Sequence, residues 1–552
     1  MSTVTTVLDH LARQASLAPG RTAFSTWCDG QIVAAVSYLE LWRMAERVGR
    51  GLRSLGADPG DRVVLVMPND PRFAGALLGC VHAGVIAVPA PVPAGSRTRA
   101  FRDRLAPMVR DCAPRLLVTI DDLTGTVEAA LPTQLAVRVV SWDCLLDAAE
   151  DREDGPYGMT EPDDALLLQY TSGSTGRPKG VVATHGMVAA QCAQARTAYA
   201  EGPQDLAVTW VPLFHDMGLV TGVLRPLYSG YPSVLMNPRD FTARPRAWLE
   251  AIQHCRGTLS SAPNFAYEHC VRKIRHDASD PLDLSSWRVA RNAGEVVHSD
   301  TADRFVAAFA GAGFRAESFC PSYGMAEATL TVSTCGPSVP PLRMSIRRGG
   351  GAPERVETVI SSGVPMPGTR VVVRDNGVPA AEGKTGELWI SGPQVFSHYW
   401  PDHRAPLEDG LLRTGDLGFI RHGHVFVLGR VDDTLVVNGR NFYNHDIGHA
   451  CAGVVGLRPG RAVAVKAPRA GMGDDAVWLV GEVANDSEST TASLERTAGE
   501  VRKVVFAATG LAVAGVGLLA PGAIPLTTSG KIRVGRVRDG LVSGTLPLIW
   551  QD

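Results

Sequence analysis

The sequence lacks the features that define several large classes of protein. Its ten cysteines are dispersed through 552 residues and form no Cys-x-x-Cys pair. This pattern fits reduced thiols better than a disulfide framework or a metal site. Neither sign of charge dominates, since 54 Lys and Arg stand against 56 Asp and Glu, so electrostatics give no reason to expect a nucleic-acid or membrane partner. These absences predict a globular protein of the cytoplasm.

Targeting and membrane-spanning patterns are also missing. Residues 1–19 include Asp9, His10 and Arg13 and show no apolar signal core. The apolar stretch 73–92 is interrupted by glycine and proline, and the stretch 511–520 is short. We interpret both as buried helix or strand and expect no membrane span.

Two histidines have the spacing of metal ligands without the rest of a metal motif. His445 and His449 would share one face of a helix, but Asp446 stands where the zinc-protease motif requires glutamate. We interpret the pair as solvated or core side chains.

Strand-like and helix-like segments alternate through the first part of the chain, which predicts an α/β fold with a largely parallel sheet. From residue 356, short strand-like runs alternate with Gly and Pro turns, which predicts a β-rich subdomain over about 356–430. We therefore expect a large N-terminal domain, 1–430, of α/β subdomains plus this β-rich subdomain. A small, mobile C-terminal α/β domain, 431–552, would follow.

A loop rich in glycine and hydroxyl side chains covers residues 170–180 and ends in Arg-Pro-Lys-Gly. Glycine lets backbone N–H groups converge on phosphate oxygens, and Lys179 adds a positive charge. The Walker-type loop is a poor match, because Lys179 precedes Gly180 instead of following a glycine. The residues alone leave open a nucleotide loop of another kind or a polar hairpin.

Four later stretches are more specific than this loop. They are Pro-Ser-Tyr-Gly-Met-Ala-Glu at 321–327, Leu-Arg-Thr-Gly-Asp-Leu-Gly at 412–418, Gly-Arg-Val-Asp-Asp at 429–433 and Ile-Pro-Leu-Thr-Thr-Ser-Gly-Lys-Ile at 524–532. Together with the loop, their order and spacing resemble the adenylate-forming (acyl-activating, AMP-binding) superfamily along nearly the whole chain. Within it, the stretches 212–219, 262–267, 283–289, 292–295 and 439–443 are most similar to those of fatty acyl-AMP ligases.

The resemblance implies a two-step reaction. A carboxylate attacks the α-phosphorus of ATP and pyrophosphate leaves; the acyl group then passes from AMP to the phosphopantetheine thiol of an acyl or peptidyl carrier protein. ATP and Mg²⁺ are the implied cofactors, and a small carboxylic acid is the implied substrate. Phosphoryl chemistry of this kind needs positioning and charge neutralisation more than a protein nucleophile.

The same resemblance assigns roles to individual residues. Lys531 would bridge the developing charge, Glu327 would bind Mg²⁺ with Thr171, His215 would lie beside the substrate carboxylate, and Asp432 would be the hinge. His215 is nearly as well explained as a core histidine satisfied by Asp216. The implied ATP site comprises Thr171, Ser172, Gly173, Ser174, Thr175, Gly176, Lys179, Gly294, Glu295, Ser322, Tyr323, Gly324, Met325, Asp416 and Arg430.

The chain departs from the fatty acyl-AMP ligase pattern in the expected acid pocket. Thr221 stands where glycine is usual, and Arg291 stands where an apolar residue is usual. Both narrow the pocket or make it more polar, which predicts an acid that is shorter or more polar than a long fatty acid. The other expected pocket residues are His215, Met217, Gly218 and Asn264.

The acceptor and the substrate class stay open at this point. The segment 336–363, where the look-alikes carry an insertion linked to acceptor choice, is short and rich in Arg, Gly and Pro. An acid–coenzyme A ligase is therefore a rival, as is activation of an aryl, short functionalised or inorganic oxyanion. A non-catalytic binding protein is disfavoured, because Lys531, Glu327 and Asp416 are all present.

Overall fold

The structure is a computed structural model. It describes residues 6–93, 98–135, 137–150, 161–171, 178–275, 280–348, 355–402, 406–437, 440–469, 472–485, 490–526 and 531–552.

Helices and strands alternate from the first described residues. The elements before residue 150 are α1 (Val7–Leu17), β1 (Thr22–Cys28), β2 (Gln31–Ser37), α2 (Tyr38–Ser54), β3 (Arg62–Val66), α3 (Pro71–Ala83), β4 (Ile86–Pro89), α4 (Thr98–Cys112), β5 (Leu116–Thr119), α5 (Thr124–Ala130), β6 (Arg138–Ser141) and α6 (Trp142–Asp147). Those that follow, up to residue 335, are β7 (Ala165–Thr171), β8 (Lys179–Thr184), α7 (His185–Tyr199), β9 (Ala207–Thr209), α8 (Asp216–Leu219), α9 (Arg225–Ser229), β10 (Ser233–Met236), α10 (Pro238–Ala243), α11 (Arg246–Cys255), β11 (Leu259–Ala262), α12 (Asn264–Lys273), β12 (Val289–Asn292), α13 (Ser299–Phe309), β13 (Phe319–Gly324) and β14 (Thr331–Thr334). A π-helical turn, Val220–Leu224, joins α8 to α9.

Strands dominate the next segment and a smaller α/β unit ends the chain. The strands are β15 (Arg343–Arg348), β16 (Arg355–Ile360), β17 (Val364–Pro365), β18 (Arg370–Asp375), β19 (Val378–Pro379), β20 (Gly386–Ser391), β21 (Tyr399–Trp400), β22 (Leu407–Glu408), β23 (Leu411–Arg421) and β24 (His424–Arg430). The final elements are β25 (Thr434–Val437), β26 (Arg440–Tyr443), α14 (Asn444–Cys451), β27 (Leu457–Arg469), β28 (Met472–Val483), α15 (Thr491–Thr509), β29 (Gly515–Leu519), α16 (Val534–Val542) and β30 (Leu548–Gln551).

Local sequence explains where the early helices begin and end. Ser37 and Glu40 form a reciprocal capping box at the start of α2, which satisfies backbone N–H groups that have no partner inside the helix. Helix α3 starts with Asp70 as its cap and proline at its first turn, and it ends at Gly84 with φ of 73°, a left-handed conformation that favours glycine. These signals explain where α2 begins and where α3 begins and ends.

Two large sheets form the body of the fold. A seven-stranded sheet has the order β21-β8-β7-β4-β3-β5-β6, and a nine-stranded sheet has the order β17-β14-β13-β12-β11-β9-β10-β1-β2. Inner strands of both sheets run parallel, as in the pairs β3–β4 and β11–β12. The carboxyl ends of such strands meet at one edge, where side chains from distant parts of the chain come together.

Strands after residue 370 form a separate antiparallel sheet with the order β19-β18-β20-β23-β22, and β24 pairs with β23. An apolar cluster joins this sheet to the others, because Val181 of β8, Tyr323 of β13 and Leu412 of β23 pack together. The three sheets therefore converge beneath one region of the surface.

The segment beyond residue 434 has a sheet of its own, β27-β28-β29-β30. Its main apolar core draws on Ile447, Leu479, Val501 and Val516 among others, all of them later than residue 434.

The predicted α/β fold class is confirmed. Residues 71–83 and 515–519 are buried helix and strand, as expected for the two apolar stretches. Within the described ranges, none of the helices combines the length and apolar character that crossing a bilayer requires. The sequence reasoning did not identify β1, β11, β12 or β13 as strands, although they make up much of the nine-stranded sheet.

Candidate active site

A tyrosine, a carboxylate and an arginine meet where β13 approaches the antiparallel sheet. Asp416 and Arg430 are cross-strand partners on β23 and β24. The Tyr323 hydroxyl donates to Asp416 Oδ2 at 2.7 Å, and Arg430 Nε lies 3.2 Å from Asp416 Oδ1. Burial raises the pKa of Asp416 against the opposing effect of Arg430. The result is a fixed carboxylate with one oxygen on a hydroxyl and the other on a cation.

A second carboxylate, Glu327, lies on the 3-10 turn Ala326–Ala328. The Tyr399 hydroxyl donates to Glu327 Oε1 at 2.9 Å. Burial raises the pKa of Glu327, while this hydrogen bond acts to lower it. A hard oxygen ligand held in one orientation is what Mg²⁺ prefers, so the site fits the ion.

The predicted phosphate loop follows β7 and precedes β8, which pair in antiparallel fashion. Thr171 and Lys179 are paired at the ends of β7 and β8, and the Lys179 ammonium lies 5.0 Å from the centroid of the Tyr399 ring. The predicted loop residues Ser172, Gly173, Ser174, Thr175 and Gly176 lie outside the described residues. Tyr399, which the sequence reasoning missed, thus contacts both the base of the hairpin and Glu327.

Lys531 comes from the far end of the chain and is exposed. Its positive charge acts to lower the pKa of Asp216, Asp416 and Asp433. The structure therefore brings Lys531 within electrostatic reach of groups on both sides of the site. Asp432, the expected hinge, is exposed in the turn that follows β24.

His215 caps α8 and is half-buried. Its Nδ1 lies 2.5 Å from Asp216 Oδ1. Burial acts to raise the pKa of Asp216, but His215 and the Met217 N–H outweigh it, and this pKa is lowered. The geometry supports the interpretation of His215 as a histidine satisfied by Asp216.

Two glycines, Gly294 and Gly218, allow neighbouring residues to pack closely against the backbone. Gly294 has φ of +82°, and the Cβ that it lacks would lie 3.2 Å from Met217 Cε. A Cβ on Gly218 would lie 2.2 Å from the Pro212 carbonyl oxygen, so no larger residue fits there without moving the backbone. Glu295 is exposed and accepts the Phe265 N–H at 3.0 Å.

Some predicted nucleotide residues have other partners. The Ser322 hydroxyl is within hydrogen-bond distance of Tyr199 Oη at 3.1 Å and of Thr334 Oγ1 at 2.7 Å. It thus lies on the opposite face of β13 from Tyr323. Gly324 and Met325 follow at the end of the strand and are half-buried.

Three of the expected acid-pocket residues form contacts within the chain. Asn264 accepts hydrogen bonds from Asn292 Nδ2 at 3.1 Å and from the His298 N–H at 3.3 Å. Thr221 is buried and donates to the Met217 carbonyl at 2.7 Å. Arg291 is buried and forms an ion pair with Glu201.

Comparison with known proteins identifies the family of this chain. Residues 11–400 match the family described as AMP-binding enzyme. The chain belongs to the AMP-binding enzyme family. Asp416, Arg430 and Lys531 lie beyond the matched residues, so their agreement with the rest of the site is a separate observation.

Relatives within the AMP-binding family span nearly the whole chain. The medium-chain-fatty-acid–[acyl-carrier-protein] ligase JamA of Moorena producens is 33% identical over 574 residues, covering 98% of this chain and 96% of that protein. The long-chain-fatty-acid–AMP ligase FadD28 of Mycobacterium bovis is 32% identical over 550 residues, covering 91% of each. The 4-hydroxyphenylalkanoate adenylyltransferase of Mycobacterium marinum is 33% identical over 568 residues, covering 95% of this chain and 89% of that protein.

Solved structures of the AMP-binding family share the arrangement. A structure from work on fatty acyl-adenylate ligases of E. coli and L. pneumophila superposes with a TM-score of 0.89 at 29% identity, covering 98% of both chains. The fatty acyl-adenylate ligase from L. pneumophila in complex with acyl adenylate and pyrophosphate gives a TM-score of 0.73 at 28% identity, covering 99% of this chain and 98% of that one.

Three histidines of this family member meet beside the site. His298 stacks on His449 with ring centroids 4.2 Å apart and lies 5.7 Å from His445. His449 Nε2 is 2.9 Å from Asp300 Oδ2, and this hydrogen bond raises the pKa of His449. His449 and His445 do lie on one helix, α14, but His449 is paired with Asp300, a carboxylate of α13.

Proposed function

We propose that this protein activates a small carboxylic acid as an acyl adenylate, with release of pyrophosphate, and then passes the acyl group to the phosphopantetheine thiol of a carrier protein. The observation that carries the proposal is the pair of oriented carboxylates, Asp416 held by Tyr323 and Arg430, and Glu327 held by Tyr399. Family membership and relatives that act on acyl adenylates support it.

Binding of ATP would use groups that are already oriented. Asp416 would accept the ribose hydroxyls, because its carboxylate is held by Tyr323 and Arg430. The Tyr323 ring and Gly294 would lie against the adenine, and the hairpin tip between Thr171 and Lys179 would receive the β- and γ-phosphates. Arg430 would contact the ribose or a phosphate.

Mg²⁺ would be held by Glu327 with Thr171, and it would neutralise phosphate charge when bound. Tyr399 orients Glu327 for this role, as outer partners of metal ligands commonly do. Glu327 must be ionised to serve as a ligand, and its pKa is raised by burial.

Bond formation needs no protein nucleophile. A carboxylate oxygen of the acid forms a bond to the α-phosphorus, and the bond from that phosphorus to pyrophosphate breaks. Negative charge builds up around the α-phosphate, where Lys531 would stabilise it more strongly than in the ground state. Attack by the thiol on the acyl carbon then releases AMP.

The chemical class of the acid and the identity of the thiol acceptor are separate questions from the type of reaction. The named relatives act on medium-chain, long-chain and hydroxyphenyl-bearing acids at nearly equal identity, so similarity alone does not choose among these classes. We infer that the acid is shorter or more polar than a long fatty acid, because Thr221 and Arg291 are buried polar residues in the expected pocket. A related protein described as a putative fatty-acid–CoA ligase is 32% identical, which keeps coenzyme A as the rival acceptor.

We further propose two domains, 1–430 and 431–552, that move about Asp432. The separate sheet and core beyond residue 434 support this division. All ten cysteines are unpaired, which supports action in the reducing cytoplasm.

One screen tests the function. Purified protein with ATP and Mg²⁺ is given a panel of fatty, aryl and short functionalised acids and nitrite, and pyrophosphate release is measured. Active acids are then offered with holo carrier protein or coenzyme A as the acceptor. Release with at least one acid, followed by transfer to the carrier, supports the proposal; release with none contradicts it.

A further inference from the structure

The buried surroundings of Arg291 carry more positive than negative charge. Arg225 and Arg291 both lie over the Tyr199 ring, with guanidinium carbons 5.6 and 4.3 Å from its centroid. Both approach Glu201 Oε1, Arg225 Nη1 at 3.8 Å and Arg291 as a direct ion pair. The side chains of Arg225 and Glu201 are fully buried, and that of Arg291 is 4% exposed. We call Glu201, Arg225 and Arg291 the arginine cluster.

Hydrogen bonding satisfies the arginine cluster only in part. Arg225 Nη2 donates to Gln191 Oε1 at 2.7 Å and to Thr331 Oγ1 at 2.8 Å. Arg291 Nη1 donates to Ser261 Oγ at 3.2 Å. Among the described residues, Nε and Nη1 of Arg225 and Nε of Arg291 donate no hydrogen bond although they are buried.

The formal charges of the arginine cluster also leave it with an excess of positive charge. Two guanidinium groups face one carboxylate. Tyr231, whose hydroxyl donates to Glu201 Oε2 at 3.0 Å, adds no negative charge, since burial raises the pKa of Tyr231 well above its usual value. Leaving a buried charge without a counter-charge is costly, by several kcal/mol in typical proteins. An anionic group would remove that cost and accept the unused N–H groups.

The arginine cluster lies in line with the reacting end of the site. Met217, which touches the Gly294 position, is followed at intervals of four by Thr221 and Arg225 along α8, the π-helical turn and α9. Residues four apart lie on nearly the same side of a helix, so the three side chains follow one line along this helical segment. π-helical turns of this kind are frequent at functional sites. Gln191 also donates to the Thr331 carbonyl at 3.0 Å, which ties the cluster to the segment after Glu327.

We propose that the arginine cluster is the distal end of the acid pocket and recognises a second carboxylate, so that the preferred substrates are short dicarboxylic acids. This inference rests on the proposed adenylation. The carboxylate next to Met217 would be activated, and the other would pair with Arg225 and Arg291. Long fatty acids would be disfavoured, because their apolar ends would lie against the buried guanidinium groups without accepting their unused N–H groups.

The experiment compares matched acids. Saturated diacids from succinate to suberate are each paired with the monoacid of equal carbon number, and kcat/KM for pyrophosphate release is measured. We expect the best diacid to exceed its matched monoacid by at least tenfold. The variant Arg225→Met should lower the ratio of diacid to matched monoacid kcat/KM by at least tenfold, whereas Arg256→Met, which alters an exposed arginine paired with Asp283, should leave that ratio unchanged.

Binding without ATP separates the inference from the proposed function. Diacids should raise the melting temperature of the wild-type protein and not that of Arg225→Met. If no acid releases pyrophosphate but diacids still stabilise only the wild type, the adenylation proposal fails and the pocket assignment holds. Monoacids that match or exceed the diacids in the wild type, or an absence of stabilisation by every diacid, would overturn the assignment even if Arg225→Met failed to fold.

Discussion

The charged groups of the candidate site are fixed by neighbouring side chains before Asp432 and exposed after it. Before it, Asp416 and Glu327 are each fixed by a tyrosine hydroxyl, at 2.7 and 2.9 Å. After it, Lys531 is exposed, and the link to the earlier part includes the 2.9 Å contact of His449 with Asp300. Fixed groups suit binding of a nucleotide, whereas a group on a separate unit suits one step of a two-step reaction. The following experiments test this contrast.

Removing Lys531 should have the largest effect. In Lys531→Ala we expect acyl-adenylate formation to fall by about 10²–10³, the usual cost of losing one group that stabilises developing charge. Thiol attack on a supplied acyl adenylate should be largely retained. Pyrophosphate release measures the first step and carrier acylation the second. Lys503→Ala, at an exposed lysine of α15 near Glu500, is the control. Equal loss of both steps in Lys531→Ala would show that Lys531 does not act on adenylation alone.

Tyr399→Phe should weaken Mg²⁺ use by about 10–100-fold, because outer partners of metal ligands have effects of that size. Its hydroxyl acts to lower the pKa of Glu327, which burial raises. Without the hydroxyl, that pKa rises further, and the carboxylate ionises only at higher pH. The acidic limb of the pH–rate profile should therefore move to higher pH. A Mg²⁺ titration at several pH values measures this, with Tyr228→Phe as control, and an unmoved limb would contradict the role of Tyr399.

Asp432→Pro should act on the second step alone. Proline restricts the backbone about which the later part would turn, and we expect carrier acylation to slow by roughly tenfold while adenylation is retained. Asp432→Ala separates the backbone effect from loss of the carboxylate. Slowing of adenylation instead of transfer would show that Asp432 is not the hinge.

Asp300→Asn should have the smallest effect of these substitutions, and it should act on the contact between Asp300 and His449. Asp300 raises the pKa of His449 by a hydrogen bond, and its own pKa is lowered to about 2. The ion pair between Asp300 and His449 is therefore present above the pKa of Asp300 and is lost as the pH rises through the pKa of His449. His298, with a pKa lowered by burial to about 3, stays neutral over this range. Partly exposed pairs contribute at most about 1 kcal/mol.

Limited proteolysis of the segment around Asp432 measures this contact. In the wild type, cleavage should increase as the pH rises through the pKa of His449, which lies above the ordinary value for histidine. Asp300→Asn should remove most of the increase, whereas Asp303→Asn, at a carboxylate paired with Arg343, should keep it. A wild type that shows no pH effect would mean that this contact does not hold the two parts together.

Sequence reasoning succeeded where one segment carries its own signal. The helix over 38–55 has its capping residues, Ser37 and Glu40, within the same segment. The fold class followed from the alternation of strand-like and helix-like runs. Asp416 and Arg430 were predicted together because both stand in short motifs, and the structure pairs them across β23 and β24; their role in binding ATP stays a prediction.

Contacts between distant residues were beyond such reasoning. Tyr399 is 72 positions from Glu327, and nothing in its short strand marks it as a partner of a carboxylate. Arg291 was predicted in the acid pocket, but its ion pair with Glu201, 90 positions away, was not. Arg225 was not singled out at all, because an arginine next to proline reads as a surface residue until the tertiary structure shows its complete burial.

The arginine cluster limits how this enzyme could change its substrate. Replacing Arg291 alone would leave the Glu201 carboxylate buried beside a distant Arg225, and such half-removed pairs typically cost 3–5 kcal/mol. Replacing all three residues with apolar ones of similar volume is often neutral or stabilising in other proteins. Conversion to a fatty-acid pocket, in the laboratory or by natural divergence, would therefore favour simultaneous replacement of Glu201, Arg225 and Arg291 over one substitution at a time.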